Sequence, residues 1–209
     1  MPPTLIGIGG QMRMGKDTLG DMIKSFTGLN KRAFATAVKA LTCELFGIED
    51  IETWKCVDAH PPGLIVPART ALQMVGDGMR QISPSVWVDR AMADPIGIFC
   101  DVRYANEAQA IRKHGGILML MGRSACLNDD DNASEAYLRP IIAWFLANTV
   151  GPCVRISDLR SHIPNGAADF DWFIRNDASR DHLEDAMRRV MRSANAMDVP
   201  VRDRRVRDR

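Results

Sequence analysis

The sequence has no long hydrophobic run, and this lack excludes a transmembrane helix. No segment approaches the roughly 18 consecutive apolar residues that a membrane span needs, although 46% of the 209 residues are hydrophobic. At this length, such an apolar fraction predicts a single globular domain with one sizeable core. The sequence also shows no secretory leader. We therefore expect a soluble, cytoplasmic protein with no membrane partner.

Paired cysteines and a strong charge of one sign are also missing. The five cysteines are odd in number, widely spaced and free of any C-x-x-C pair, which argues against a disulfide framework or a zinc knuckle. The four histidines have no metal-ligand spacing. The formal net charge is only +1, so whole-molecule charge does not call for a nucleic-acid partner. Function must therefore be argued from local motifs.

Short apolar strands alternate with amphipathic helices along the chain, and this pattern predicts an α/β fold. Because parallel strands need crossover connections, we expect a mainly parallel, doubly wound sheet covered by helices on both faces. Residues 51–68, with three prolines and a glycine, read as a loop long enough to cover a substrate. Residues 1–196 form the predicted domain, and the Arg-rich tail 197–209 is expected to be disordered. Strands are predicted at 4–8, 32–35, 96–100, 117–121 and 171–175.

A phosphate-binding loop is the most informative motif. Residues 10–16 fit G-x-x-x-x-G-K, between a predicted strand and a predicted helix. Polyphosphate needs inward-pointing backbone N–H groups and a helix N-terminus, which this arrangement supplies. Lys16 adds a mobile charge for the β- and γ-phosphates of ATP, and Gly10, Arg13 and Gly15 complete the predicted ATP site. The alternative is a Gly-rich turn with an ordinary surface lysine.

The loop departs from the usual pattern directly after its lysine. Ser or Thr normally stands there and binds Mg²⁺ through its hydroxyl, but this chain has Asp17, and the hydroxyl follows at Thr18. Asp17 could bind the metal, directly or through water, or orient the phosphate acceptor. It could also merely favour the positive end of the helix.

A second acidic residue follows an apolar strand, at Asp101. Neighbouring parallel strands would bring Asp101 close to the phosphate loop, at the carboxyl edge where ligands bind. Arg103 could neutralise phosphate bidentately, or it could be a solvated loop arginine. We therefore predict Asp17, Thr18 and Asp101 as the residues nearest Mg²⁺, with Lys16 and Arg103 beside them in catalysis.

Several segments, taken in order, resemble the bacteriophage deoxynucleoside monophosphate kinases within the P-loop nucleoside monophosphate kinase group. The resemblance implies a five-stranded parallel core with an acceptor-binding region and a lid at about 123–135. It also implies that ATP donates its γ-phosphate, with Mg²⁺, to a deoxynucleoside 5′-monophosphate. The matching segments are 15–18, 34–47, 69–87, 101–107 followed by Gly115 and Gly116, 134–135, and 170–177.

The resemblance also implies roles for residues outside the phosphate loop. Arg123 takes the place of a lid arginine that contacts the transferring phosphate, and Asn176 that of the residue bordering the donor base. Alternatives remain: Trp87 as a core residue, Asn176 as a turn former, and residues 134–135 as a helix cap. The implied acceptor-side residues are Lys39, Arg69, Gln73, Trp87 and Glu135.

Other functions remain open on the sequence. Some related phage kinases phosphorylate hydroxymethylpyrimidines such as 5-hydroxymethyluracil within DNA, and the arginine tail could supply the basic surface that this modified-DNA partner requires. A dephospho-coenzyme-A-like acceptor, or a switch or assembly ATPase, also fits the loop. The aliphatic helix 141–146 is either a homodimer face or, by default, part of the core.

Overall fold

The computed structural model describes residues 3–54, 60–127, 136–159 and 162–196, and all structural statements refer to these residues. The predicted tail, residue 135 and most of the predicted lid lie outside them. The strands are β1 (Leu5–Gly9), β2 (Lys31–Arg32), β3 (Gly97–Val102), β4 (Ile117–Gly122), β5 (Cys153–Arg155) and β6 (Trp172–Arg175). They form one sheet in the order β2-β3-β1-β4-β6-β5.

The sheet has one strand more than expected. Five strands are parallel and adjacent, β2-β3-β1-β4-β6, and confirm the mainly parallel core. The sixth strand, β5, pairs antiparallel with β6 at the edge, with Cys153 opposite Ile174. The expectation of five strands was therefore wrong, because a three-residue edge strand carries no periodic signal in its sequence.

Helices connect the strands and cover the sheet. Helices α1 (Lys16–Thr27) and α2 (Ala35–Phe46) both end at glycines with left-handed backbones, Gly28 with φ 76° and Gly47 with φ 64°. The predicted loop 51–68 begins with a 3₁₀ turn over Ile51–Trp54. The helices are α1 (Lys16–Thr27), α2 (Ala35–Phe46), α3 (Ala68–Ile82), α4 (Val86–Met92), α5 (Ala105–Lys113), α6 (Arg139–Asn148) and α7 (Arg180–Ala196).

The core lies on both faces of the central strands. Side chains of β1, β3 and β4 are almost wholly buried, and α7 packs Leu183, Met187 and Val190 inward. Each fully buried side chain of this kind stabilises the fold by about 1.5–3 kcal/mol. Ile141, Ile142 and Phe145 of α6 are also fully buried within the chain, which confirms the core interpretation of that helix. None of the described helices is long and apolar enough to cross a membrane.

The strand register brings the predicted site residues to one edge of the sheet. Gly9, the last residue of β1, pairs with Val102 of β3. Asp101 is the fifth of the six residues of β3, whereas the sequence had placed it directly after the strand. The phosphate loop and Asp101 therefore share the carboxyl edge of the parallel strands, where ligands bind in folds of this type.

Candidate active site

The phosphate loop is held by backbone conformations that favour glycine. Gly10 has φ 151°, Arg13 φ 66° and Gly15 φ 92°. A Cβ at Gly10 would lie 3.0 Å from the carbonyl oxygen of Met121, and one at Gly15 would lie 2.5 Å from the side-chain nitrogen of Asn176. Both glycines are therefore required by backbone conformation and by close approach.

Helix α1 begins directly after this loop. Its N-cap residue is Gly15, and no side chain makes a capping hydrogen bond there. The first N–H groups of the helix and its positive dipole end thus point into the loop, which suits an anion such as a phosphate. The Lys16 ammonium donates a hydrogen bond to the carbonyl oxygen of Gln11 at 2.7 Å, across the loop.

A cavity of about 730 Å³ opens beside the loop, between β3, α2 and α3. This is a common size for a small-molecule site. Eight basic and four acidic side chains line it, although the whole chain carries a net charge of only +1. The cavity therefore concentrates positive charge and favours an anionic ligand. The basic lining residues are Arg13, Lys16, Lys31, Arg32, Lys39, Arg69, Arg80 and Arg103.

Most of the predicted site residues meet in this cavity. Six other predicted residues are described but do not line it, and Glu135 lies outside the described residues; the six are Gly10, Gly15, Thr18, Arg123, Trp87 and Asn176. Lys39, Arg69 and Gln73, which the family resemblance had placed on the acceptor side, do face it. The predicted residues that line the cavity are Arg13, Lys16, Asp17, Lys39, Arg69, Gln73, Asp101 and Arg103.

Asp17 forms an ion pair that the sequence did not predict. Its exposed carboxylate lies 3.3 Å from the ammonium of Lys31, which also lies 3.0 Å from the carboxylate of Asp21. Partial burial works to lower the pKa of Lys31, but the hydrogen bonds to Asp21 and Asp17 outweigh it and raise that pKa. Lys31 thus stays charged at the mouth of the cavity, in contact with the residue that replaces the usual hydroxyl.

Asp101 has a structural role that the sequence did not predict. Its two carboxylate oxygens accept hydrogen bonds from the backbone N–H groups of Phe34, at 2.9 Å, and Ala35, at 3.0 Å. Burial raises the pKa of Asp101, and this effect exceeds the lowering caused by the two N–H groups and by the nearby Arg103. Asp101 therefore fixes the first turn of α2 against β3.

Arg80, Tyr104 and Glu107 are among the cavity residues that the sequence did not predict as site residues. The guanidinium of Arg80 lies 4.3 Å from the ring centre of Tyr104 and 3.0 Å from the carboxylate of Asp77. Helical spacing could have found Arg80, because it follows Arg69, Gln73 and Gly76 on one face of α3. No spacing marks Tyr104 or Glu107 as site residues.

Trp87 belongs to the core and not to the cavity. Its side chain is 3% exposed, and its indole N–H donates to the carbonyl oxygen of Gly76 at 3.0 Å. The indole thus supports α3, the helix that presents Arg69 and Gln73. This placement confirms the core interpretation, and it corrects the prediction that Trp87 contacts the acceptor.

Asn176 connects the last parallel strand to the phosphate loop. Its side-chain amide donates to the carbonyl oxygen of Met14 at 2.9 Å, and its backbone N–H donates to Gly122 at 2.8 Å. The neighbouring Asp177 accepts the backbone N–H of Ser124 at 2.6 Å and its hydroxyl at 2.7 Å. These contacts fix the chain next to Arg123, at the start of the predicted lid. Contact of Asn176 with the donor base stays a prediction.

Comparison with known proteins gives one similar sequence and several distant folds. The chain is 28% identical over 163 residues, covering 67% of this chain and 84% of the other, to a protein of Acanthamoeba polyphaga mimivirus named "Putative deoxynucleotide monophosphate kinase". No protein-family model matches the chain. Distant structural similarity is found to a shikimate kinase from Bacteroides thetaiotaomicron, with TM-score 0.41, 10% identity and coverage of 92% of this chain and 98% of that one. A dephospho-CoA kinase from Campylobacter jejuni gives TM-score 0.44, 11% identity and the same coverage.

Proposed function

We propose that this chain transfers the γ-phosphoryl group of ATP to a deoxynucleoside 5′-monophosphate, giving the diphosphate and ADP. One observation carries the proposal: the phosphate loop with Lys16 opens directly into a basic cavity lined by Lys39, Arg69 and Arg103. A donor phosphate on the loop and an anionic acceptor in the cavity would then lie side by side.

The chain is a phosphotransferase of the P-loop type. Transfer of a phosphoryl group requires positioning and charge neutralisation, and little covalent participation by the protein. The loop and α1 supply fixed N–H donors for the donor phosphates, and Lys16 supplies a mobile charge. Arg103 also lines the cavity, where a guanidinium can neutralise charge on the phosphoryl group in transfer.

The residues present fit ATP and only partly fit the predicted magnesium site. Asp17 lines the cavity with an exposed carboxylate next to Lys16, and Mg²⁺ commonly takes one carboxylate together with substrate phosphates and waters. When bound, Mg²⁺ neutralises phosphate charge. Both Asp101 oxygens already accept backbone N–H groups, and Thr18 does not line the cavity. Within the described ranges, no cluster of three or more His, Cys, Asp or Glu is arranged for a metal.

The choice of acceptor is supported by the cavity and by the relative. A nucleoside monophosphate is a small anion, and the cavity combines basic residues with the apolar side chains of Phe34, Val38 and Leu72. The name of the mimivirus protein specifies a deoxynucleotide monophosphate. Neither observation supports the alternative, a kinase acting on hydroxymethylpyrimidines within DNA.

An assay of ADP release tests the proposal. ATP and Mg²⁺ are offered with each deoxynucleoside monophosphate in turn, with each ribonucleoside monophosphate, and with duplex DNA containing 5-hydroxymethyluracil. We expect turnover with at least one free deoxynucleotide. Phosphoryl transfer to the DNA alone would show that the acceptor is a modified base within DNA. ADP release independent of any acceptor would indicate an ATPase.

A further inference from the structure

Glu107 is a buried carboxylate at the wall of the cavity. It is the third residue of α5 and only 3% exposed. One of its oxygens accepts two consecutive backbone N–H groups, that of Arg103 at 2.7 Å and that of Tyr104 at 3.1 Å. Glu107 therefore holds the turn between β3 and α5, the turn that carries Arg103.

Helix capping alone does not account for this arrangement. A glutamate at the third helical position commonly accepts the N–H of the N-cap residue, here Tyr104. Glu107 also accepts the N–H of Arg103, outside the helix, in the shorter of its two bonds. Burying a carboxylate is costly, and a cap exposed to solvent would stabilise the helix without that cost.

The contact between Glu107 and the backbone of Arg103 affects where the side chain of Arg103 is held. The backbone N–H of Arg103 is fixed by Glu107, and its side chain lines the cavity together with Asp101. Phosphoryl transfer depends on the placement of positive charge, and a displacement of about 1 Å can cost 100-fold in rate. A carboxylate that fixes this backbone thus acts on catalysis without touching the substrate.

We propose that Glu107 is a positioning residue that orients the side chain of Arg103 towards the phosphoryl group in transfer. This inference rests on the proposed function. It assigns to Glu107 a geometric task, which a neutral amide oxygen at the same place would also perform.

Two substitutions separate the effect on kcat of the position of the Glu107 oxygen from the effect of its charge. Glu107→Gln keeps an acceptor oxygen at the same reach and removes the charge, whereas Glu107→Asp keeps the charge and withdraws the oxygen by one methylene. We expect E107Q to keep kcat within about tenfold and E107D to lose about 100-fold. The opposite order would overturn the proposal, because it would assign the effect to charge.

A double substitution tests whether Glu107 acts through Arg103. In an Arg103→Ala background, E107D should change kcat by no more than about twofold, because the guanidinium to be positioned is gone. A further 100-fold loss in that background would show that Glu107 acts on something else. Unfolding by urea, measured on every variant, should show the same stability cost of E107D in both backgrounds.

Asp171 provides the matched control. Its carboxylate accepts the backbone N–H of Leu118 at 2.9 Å, in a comparable contact outside the cavity, next to β6. Asp171→Ala should reduce stability and leave kcat within about twofold. An equal loss of kcat in D171A and E107D would reduce the role of Glu107 to general stability and overturn the proposal.

Binding of inorganic tripolyphosphate, measured by calorimetry, distinguishes failure of the inference from failure of the proposed function. This probe needs no identified acceptor. E107D should weaken its binding in the wild-type background and leave it unchanged in the R103A background. If no acceptor is phosphorylated, the proposed function fails, and the binding comparison still decides the role of Glu107: equal weakening in both backgrounds, or none in either, overturns it.

Discussion

At the scale of single residues, neighbours decide what each charged group does. Asp17 and Asp101 were predicted as similar acids at one site, and both line the cavity. Asp17 is exposed and paired with Lys31, whereas Asp101 is committed to the first turn of α2. Residue type alone therefore predicted membership of the site but not the role within it.

Replacing Lys16 by alanine should abolish most activity without unfolding the protein. Its ammonium acts on phosphate and contributes little packing, so kcat should fall on the order of 100- to 1,000-fold. Lys24→Ala is the control, because Lys24 lies exposed in the last turn of the same helix. Steady-state kinetics and thermal melts are compared for both variants. Normal turnover by K16A would contradict the proposed site.

Removing the charge of Glu107 should change how stability depends on pH. Burial is the largest effect on the pKa of Glu107, and with the nearby charge of Asp101 it raises that pKa to about 7, against the N–H groups of Arg103 and Tyr104. Because the folded pKa lies above the unfolded one, proton binding stabilises the fold at low pH, and this contribution is lost as pH rises towards 7.

The measurement is the free energy of unfolding in urea between pH 4.5 and 8. Wild type should lose stability relative to E107Q as the pH rises from about 4.5 through the folded pKa of about 7, and the difference between the two curves should level off towards pH 8. A difference that is constant with pH would place the folded pKa of Glu107 near its ordinary value.

At the scale of elements, sequence periodicity predicted the strands and helices whose placement depends on burying apolar side chains. The apolar runs before Gly9 and over 117–121 are buried strands, and the amphipathic patterns became α1 and α7. The edge strand β5 and the contact of Glu107 with Arg103 were not predictable. The strand β5 depends on backbone hydrogen bonds to β6, and the Glu107 contact depends on a backbone N–H in an irregular turn. Neither leaves a pattern in side-chain type.

The contact between Asn176 and the phosphate loop should be needed for tight ATP binding. Asn176→Ala removes the hydrogen bond to the Met14 carbonyl, at a cost of about 1 kcal/mol in stability. A less constrained loop should raise the KM for ATP more than it lowers kcat. Asn148→Ala is the control, since its amide makes a similar 2.8 Å bond to Trp144 on α6, an exposed helix position. Equal kinetic effects in both variants would contradict the role of Asn176.

At the scale of the whole molecule, charge is distributed unevenly. The chain is close to neutral, yet basic residues outnumber acidic ones two to one around the cavity. The field that an anionic acceptor meets is therefore local, and its reach depends on ionic strength. The screening length falls from about 30 Å at 0.01 M salt to about 8 Å at 0.15 M.

Raising ionic strength should therefore lower kcat/KM for the acceptor, on the order of tenfold across this range. Arg80→Gln should flatten the dependence, because Arg80 lines the cavity without belonging to the phosphate loop. Arg188→Gln should leave it unchanged, because Arg188 lies on α7, paired with Glu184 and outside the cavity lining. The measurement is kcat/KM at five salt concentrations with ATP and Mg²⁺ saturating throughout. Equal slopes for the two variants would show that net charge, and not the charge of the cavity, governs association with the acceptor.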